Sequence, residues 1–505
     1  MSSIGRKLVS GSALSVFNMA ASAIVSILIM PFVVHALGDR QYGVWALVAS
    51  FTGYYGVLDL GMSTAVGRYL AKALGVADQE ECCRIFNTAL RIYLGIGATV
   101  LVIAAVLAVA APYFSKSPEE GLLFRKVILI LGASTALMFP SKVFQGALEA
   151  HLRFDRIGIF DLLTLALRAT LVVFFISAGF KILGLAWATF LAGIPTILLQ
   201  VHFAFKDLPF LRLRSRYWGI STAKALFSYS TFSFIIQLAG ILRFQVDNLV
   251  VASMVGLAAV THYTVANRLA QYFMEITIGI FGGFRSVFSR QEGAQDFEAI
   301  RWTLRFATKI SVFVSTFIAF GLIAWGKLFI GRWMGKPYLD AYPCLVVLVL
   351  GLMFGLWQNP SWSLLFGVSK HKFLAAWTSI EAIANLVLSI TLARHYGIVG
   401  VALGTMIPLV FSKLLVQPVY VCKIVGIPYT EYIEGVAKNL AMAAGCLVFP
   451  MLLTIEVAAP DYKRLFLVGL LSLIAYVVPL WMIAFDRGET NLLRRALLPK
   501  LMTKS

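Results

Sequence analysis

The chain has 505 residues, of which 60% are hydrophobic and only 13% charged, with a mean hydropathy of +0.85 and a formal net charge of +19. A soluble domain carries about 45–50% apolar and about 25% charged residues, so this chain has too little polar surface to face water on all sides. That excludes a soluble enzyme, and it assigns the positive charge to membrane topology and lipid contact before nucleic-acid binding.

About 20 apolar residues cross a bilayer as a helix, and apolar runs of that length recur from end to end. The first follows Arg6 and Lys7 and reaches Leu37; it is too long for the core of a signal peptide and reads as a retained span. Charged breaks then divide the chain into fourteen spans: 12–36, 42–71, 85–112, 122–149, 158–179, 183–205, 222–254, 259–286, 302–326, 341–367, 373–395, 399–422, 434–456 and 464–485. The predicted fold class is an all-α integral membrane protein. With the N-terminus inside, Lys and Arg concentrate at the inner ends, among them Lys206, Arg212, Arg214, Arg216, Arg494, Arg495 and Lys500. The positive-inside bias therefore places both termini in the cytoplasm. No loop is long enough for a soluble catalytic domain. Cys82, Cys83 and Cys422 fall near span ends, Cys344 and Cys446 within spans, and no spacing suggests a disulfide framework or a metal site.

An internal repeat runs through these spans. Leu37-Gly38 followed by Trp45-Ala46-Leu47 matches Val255-Gly256 followed by Tyr263-Thr264-Val265 at an offset of 218. Pro140-Ser141 with His151 matches Pro360-Ser361 with His371 at 220, and GLAWAT at 184–189 matches GVALGT at 400–405 at 216. The expected organisation is a six-span bundle over 1–208, a second over 219–425, and spans 13 and 14 with a basic tail over 426–505. Six is even, so the bundles are parallel, and a site between two such halves near mid-membrane is transporter architecture.

An ionisable residue at the bilayer centre costs about 2.5–3.5 kcal/mol on insertion scales, so each needs a reason. Arg91, Lys142, Asp161 and Lys413 lie within about three turns of a predicted end, where snorkelling accounts for them. Others lie deeper. In GILRFQVDNLVVASMVG at 240–256, Arg243 and Asp247 stand four residues apart on one helix face, as an ion pair that orders packing or as the wall of a polar cavity. Arg268, Gln271 and Glu275 share a face of the next span; Asp59 lies in LDLG, Arg168 within the fifth span, and Gln358 and Asn359 precede Pro360. Polar stripes on neighbouring spans favour a cavity. Arg243 and Arg268 would be its anion contacts, with Asp247 and Glu275 positioning them or carrying protons.

LGDRQYGVWALVASF at 37–51 resembles the LG-x-x-x-[YF]-G-x-[WY] signature of bacterial polysaccharide flippases, and RFQVDNLVVASMVGLAAVTHYTVANRL resembles their seventh-to-eighth span junction. With fourteen spans and a six-plus-six repeat, the whole chain is similar to the polysaccharide-transporter branch of the multidrug/oligosaccharidyl-lipid/polysaccharide exporter superfamily, the Wzx-type flippases. One departure is Thr261, which stands where the family has a second-half glycine. The resemblance implies a MATE-like fold and alternating access that moves an undecaprenyl-pyrophosphate-linked oligosaccharide from the inner to the outer leaflet of the bacterial inner membrane. It implies no catalytic residue, metal or cofactor. Its partners would be the lipid-linked oligosaccharide, anionic membrane lipids, and a polysaccharide polymerase with its export machinery. The basic amphipathic stretches LPFLRLRSRYW at 208–218 and LLRRALLPKLMTK at 492–504 suit an inner headgroup layer, where positive-inside anchoring already explains them.

Three other readings compete. A drug or cation exporter of the same superfamily would carry acids in its first-lobe cavity, whereas the first span here has no charge. Lipid-linked peptidoglycan precursor flippases show an Arg-Asp pair in that span, where this chain has Asn18-Met19-Ala20-Ala21. A membrane glycosyltransferase or polymerase needs a long outer loop with catalytic carboxylates, and the longest here, 327–340, offers only Asp340. GLIAWGKL at 321–328 ends in Leu328 where a phosphate loop needs Ser or Thr, and no strand precedes it.

Overall fold

A computed structural model of the chain describes residues 3–114, 117–281, 284–368, 370–448, 450–451, 462–486 and 488–490, excepting the side chains of 3–16, 64, 114, 215, 229–245, 286, 371, 372 and 375. The described residues are mainly helical, without strands. The helices are α1 (Ser3–Tyr55), α2 (Met62–Gly75), α3 (Gln79–Val109), α4 (Pro118–Ala150), α5 (Phe154–Ser177), α6 (Lys181–Asp207), α7 (Ile220–Met254), α8 (Leu257–Phe281), α9 (Phe284–Gly293), α10 (Phe297–Trp333), α11 (Ala341–Trp357), α12 (Asn359–Gly367), α13 (His371–Phe411), α14 (Gln417–Val425), α15 (Tyr429–Cys446) and α16 (Tyr462–Ile483). Over their described residues the spans read from the sequence fall on helix, with breaks at Leu60-Gly61 in the second and at Gln358 in the tenth. Nine stretches among the described residues are long and apolar enough to cross a membrane. Two of them, Phe17–Asp59 and Ala376–Val425, run through a kink and take in parts of two sequence spans each.

The repeat is written into the backbone as well as the side chains. Residues with positive φ fall in pairs 218 apart: Gly38 (73°) with Gly256 (133°), Ala77 (55°) with Gln295 (54°), and Gly179 (85°) with Gly397 (56°). Helix starts repeat too. Asp78 accepts a hydrogen bond from the Glu81 amide (2.9 Å) and Asp296 one from the Ala299 amide (2.9 Å), each with glutamate in the following turn. Both satisfy orphan N–H groups and place negative charge at the positive end of the helix.

Small residues mark close crossings. A Cβ at Gly43 would overlap the Leu257 carbonyl oxygen. The repeat-equivalent contact puts Thr261 against the Asp39 carbonyl, and here the departure from glycine is resolved by chemistry, because Thr261 Oγ1 donates to that oxygen at 2.7 Å. In the GVALG segment, a Cβ at Gly404 would overlap the Ser389 backbone and one at Gly400 the Leu392 carbonyl, a small-xxx-small face between the two arms of α13. Gly97 of α3 sits against the Ala136 carbonyl, where a Cβ would lie 2.7 Å away. Pro140, lacking an N–H, leaves that carbonyl without its helical partner. Gly404→Val should therefore depress the yield of monodisperse protein in a size-exclusion assay, while Gly435→Val, with nothing within 4 Å of its Cβ, should not.

The chain forms two compact units, Met1–Thr264 and Val265–Ser505; the sequence repeat put its boundary at 208–219. In the first, α3 packs on α4, α4 and α5 on α6, and α1 on α5 and α7. Its core is aromatic, with Phe86 edge-on to Phe144 (5.2 Å) and Tyr93 stacked on Phe139 (6.1 Å). The α4–α5 junction is tied to the end of α6 by Arg153 and Arg156, both on Asp207 at 3.3 and 2.6 Å, with Arg156 over the Phe203 ring. In the second, α10 packs on α11 and α15, and α11 on α13. Arg301, Arg305 and Lys309 recur every four residues along α10, and each holds a different later element. Arg301 donates to the Val425 carbonyl (2.8 Å), Arg305 pairs with Glu431 (2.5 Å), and Lys309 donates to the Ala484 carbonyl (3.1 Å) and to both oxygens of Glu489 (2.9 Å).

Candidate functional site

The second span is broken in its membrane portion. After Tyr55 the chain makes a 3-10 turn, Gly56–Asp59, and then two left-handed residues, Leu60 (φ 51°) and Gly61 (φ 71°), before α2 begins. A left-handed leucine costs on the order of 1–3 kcal/mol and persists only where its surroundings hold it. What holds it is Asp59, which is 1% exposed. Its Oδ1 accepts from Tyr93 Oη of α3 and from Lys142 Nζ of α4, both at 2.8 Å. Its Oδ2 accepts from Ser63 Oγ (2.9 Å) and the Ser63 amide (3.4 Å). One carboxylate thus caps α2 and ties three spans together, with the donors and counter-charge a buried anion requires.

Lys142 faces two ways. Its ammonium meets Asp59 and lies 4.9 Å from the Phe139 ring centroid, yet 34% of its side chain is exposed. The exposed part lines a cavity of about 310 Å³ shared with Gln145, Asp161, Arg168, Thr196 and Gln200. These positions lie on the later parts of α4 and α6 and the middle of α5, so three helices share the cavity. Gln145 donates to Glu149 (3.0 Å), and the buried Gln200 Oε1 has no hydrogen-bond partner among the described residues. Two cations, one carboxylate, amides and hydroxyls make a surface for an anionic group with polar attachments. Sequence position alone assigned Lys142 and Asp161 to snorkelling. The structure differs for Lys142, because its ammonium is drawn inward to a buried carboxylate 83 residues away.

The remaining expected site residues are dispersed. Arg243 lies in the helical backbone of α7, with its side chain outside the described residues. Asp247 is buried (2% exposed) and accepts from Tyr263 Oη at 2.5 Å, while Asn248 donates to Ser50 Oγ at 2.9 Å. Both stitch α7 to its neighbours. Arg268 donates to Gln271 at 3.2 Å, and Glu275, further along α8, is exposed. Gln358 is 1% exposed at the break between α11 and α12. Its side chain accepts from Ser361 (2.9 Å) and Tyr432 (3.3 Å), and its carbonyl from Gln417 (3.0 Å). Asn359, the first residue of α12, has a buried Nδ2 without a partner among the described residues. Lys413, 7% exposed, lies in a π-helical turn, Ser412–Val416, and donates to Gln417 at 2.6 Å. Asp59 and Arg168 therefore fall in or beside the first-unit cavity. Sequence reasoning assigned Lys142 and Lys413 to snorkelling and missed Tyr93, Ser63 and Gln417. Among the described residues no group of three or more His, Cys, Asp or Glu is placed to hold a metal ion.

Comparison with known proteins places this architecture. The polysaccharide biosynthesis protein family model matches residues 8–283, more than half of the chain, and the MatE model matches 231–391. An uncharacterised membrane protein, EpsK of Bacillus subtilis (strain 168), is 21% identical over 480 residues, 93% of this chain and 94% of that one. A Shigella flexneri protein described as an O-antigen transporter is 22% identical over 417 residues, 80% of this chain and 96% of its own length. Among solved structures, an inward-facing multidrug resistance MATE family transporter superposes with a TM-score of 0.72 at 17% identity, covering 80% of this chain and 94% of that one. The lipid II flippase MurJ, in an inward closed conformation, superposes with a TM-score of 0.71 at 16% identity, covering 97% and 100%. The chain belongs to the polysaccharide biosynthesis protein family, the polysaccharide-transporter branch of the multidrug/oligosaccharidyl-lipid/polysaccharide exporter superfamily.

Proposed function

We propose that this protein is a flippase that moves an undecaprenyl-pyrophosphate-linked oligosaccharide from the cytoplasmic to the outer leaflet of the bacterial inner membrane, by alternating access and without catalysing a reaction. The observation that carries the reading is the first-unit cavity, where Lys142 and Arg168 stand among amide and hydroxyl groups in a member of this family. A lipid-linked glycan has an anionic pyrophosphate, a polar sugar and a tail that stays in the bilayer. Paired cations suit the first, side-chain amides and hydroxyls the second. The positive-inside bias supports a cytoplasmic position for Ala150, Phe154 and Asp207, on the side that would supply the substrate. With the inside negative, outward movement of each negative charge is favoured by about 2.3 kcal/mol per 100 mV. The proposed substrate contacts are Arg168, Arg243, Arg268, Gln271, Gln358 and Asn359, with Asp59, Asp247 and Glu275 positioning cations or carrying protons.

The test is flipping of a fluorescent undecaprenyl-pyrophosphate oligosaccharide in proteoliposomes, read by an external quencher. Wild type should expose the sugar, and Arg168→Glu should slow it by roughly 10- to 100-fold, the worth of one charge-assisted phosphate contact. If wild type matches empty liposomes while exporting cationic dyes, the drug-exporter reading replaces this one.

A further inference from the structure

The ion pair at the wall of the cavity is asymmetric. A carboxylate offers about four acceptor sites, and Asp59 has three donors besides Lys142: Tyr93 Oη, Ser63 Oγ and the Ser63 amide. Withdrawing Lys142 therefore leaves Asp59 hydrogen-bonded but without its counter-charge, a cost that the ammonium's contact with the incoming anion must exceed. Lys142 stands differently. Its ammonium has three donor hydrogens, Asp59 is its one salt-bridge partner among the described residues with Asp161 elsewhere on the cavity wall, and a third of its side chain already faces the cavity. Arg168 lines that same cavity from α5.

We propose that Lys142 is an exchangeable cation. A diphosphate headgroup bound in the first-unit cavity takes the Lys142 ammonium from Asp59, and Tyr93 and Ser63 retain the carboxylate. This rests on the flippase reading for the identity of the headgroup. The exchange has a mechanical consequence. Lys142 is the link by which α4 grips the broken turn of the second span, where Leu60 and Gly61 are already left-handed. Loading the cavity with an anion removes that grip while Tyr93 still holds the turn to α3, so substrate binding is coupled to how α4 is fastened to the second span. Before loading, Asp59 competes with substrate for the same cation.

The competition gives a sign that a packing role would not. Binding of farnesyl pyrophosphate to the purified full-length protein in detergent is measured by calorimetry, with farnesol and inorganic pyrophosphate as separate arms. Asp59→Asn, which keeps size and acceptor but removes the rival charge, should tighten farnesyl pyrophosphate binding about tenfold. Lys142→Gln should weaken it about tenfold and abolish the effect of Asp59→Asn in the double variant; Lys142→Arg should restore it. Farnesol should show none of these responses. If inorganic pyrophosphate reproduces the pattern in full, the site takes the diphosphate whatever its tail. The exchange is refuted if Asp59→Asn weakens binding, or if its effect is the same with and without Lys142. Lys142→Arg, folded by its melting curve yet unable to restore binding, would also refute it. These results are separable from failure of the flippase reading. Wild type could flip the lipid-linked glycan with neither variant altering affinity, which rejects the exchange alone. Alternatively the affinity cycle could hold in a protein that flips nothing, which rejects the flippase alone.

Discussion

Gly43→Ala should destabilise the protein by at least about 3 kcal/mol, the upper range for forcing a group into a packed interior. The added methyl would overlap the Leu257 carbonyl oxygen. That obstacle is backbone of a following helix, so no rotamer change relieves it. The crossing is doubly fixed. Five helix positions into α8, Thr261 donates to the Asp39 carbonyl at 2.7 Å, and Asn248 of α7 donates to Ser50 of α1 at 2.9 Å. Moving α1 away from Leu257 would break both bonds. Gly38→Ala is the control, because its φ of 73° makes any side chain unfavourable but nothing lies within 4 Å of its Cβ. At φ 73° and ψ 163° it occupies backbone space open essentially to glycine, so it should cost about 1–3 kcal/mol without any clash. The measurement is a fluorescence-detected thermal melt of the solubilised protein. An alanine at 43 that melts with wild type would mean this crossing is not the close contact described.

This glycine also shows how far the sequence reaches. Hydropathy located the spans because the bilayer imposes a length of apolar chain on every one of them. The repeat was legible because Gly38 and Gly256 answer the same local backbone demand twice. The pairing of Lys142 with Asp59 was not, because it joins spans 83 residues apart and Lys142 sits close enough to a helix end for snorkelling to explain it. The nearest signal was the broken second span, where Gly56, Asp59 and Gly61 flank a turn that needs a partner from outside. The polar run at 240–256 read as a packing ion pair or as a cavity wall, and within it Asp247 and Asn248 bond to Tyr263 and Ser50. Spacing places residues on one face of a helix; which neighbour covers that face depends on packing that periodicity does not encode.

Lys309→Met should lower stability by about 3–5 kcal/mol, the range for removing one member of a buried ion pair. Lys309 and Glu489 keep only 20% and 8% of their side chains exposed, and the ammonium bridges both carboxylate oxygens and the Ala484 carbonyl. Without it, Glu489 is left buried beside Phe485, whose ring Lys309 also covers at 5.6 Å. Glu489→Gln should cost less, because the amide can still accept from the ammonium. Lys309→Met with Glu489→Leu should recover most of the loss, since a well-packed apolar pair escapes the desolvation penalty. Arg305→Met is the internal comparison. Arg305 and Glu431 are 54% and 51% exposed, and a surface pair of that kind is worth about 0–1 kcal/mol. The readout is the melting temperature with limited proteolysis between α16 and the C-terminus. If Lys309→Met and Arg305→Met melt alike, or the double variant is no better than Lys309→Met alone, the pair is solvated and α10 does not hold the end of α16. The predicted order instead makes Lys309 the chief of three cations by which one helix fixes the last spans of the chain.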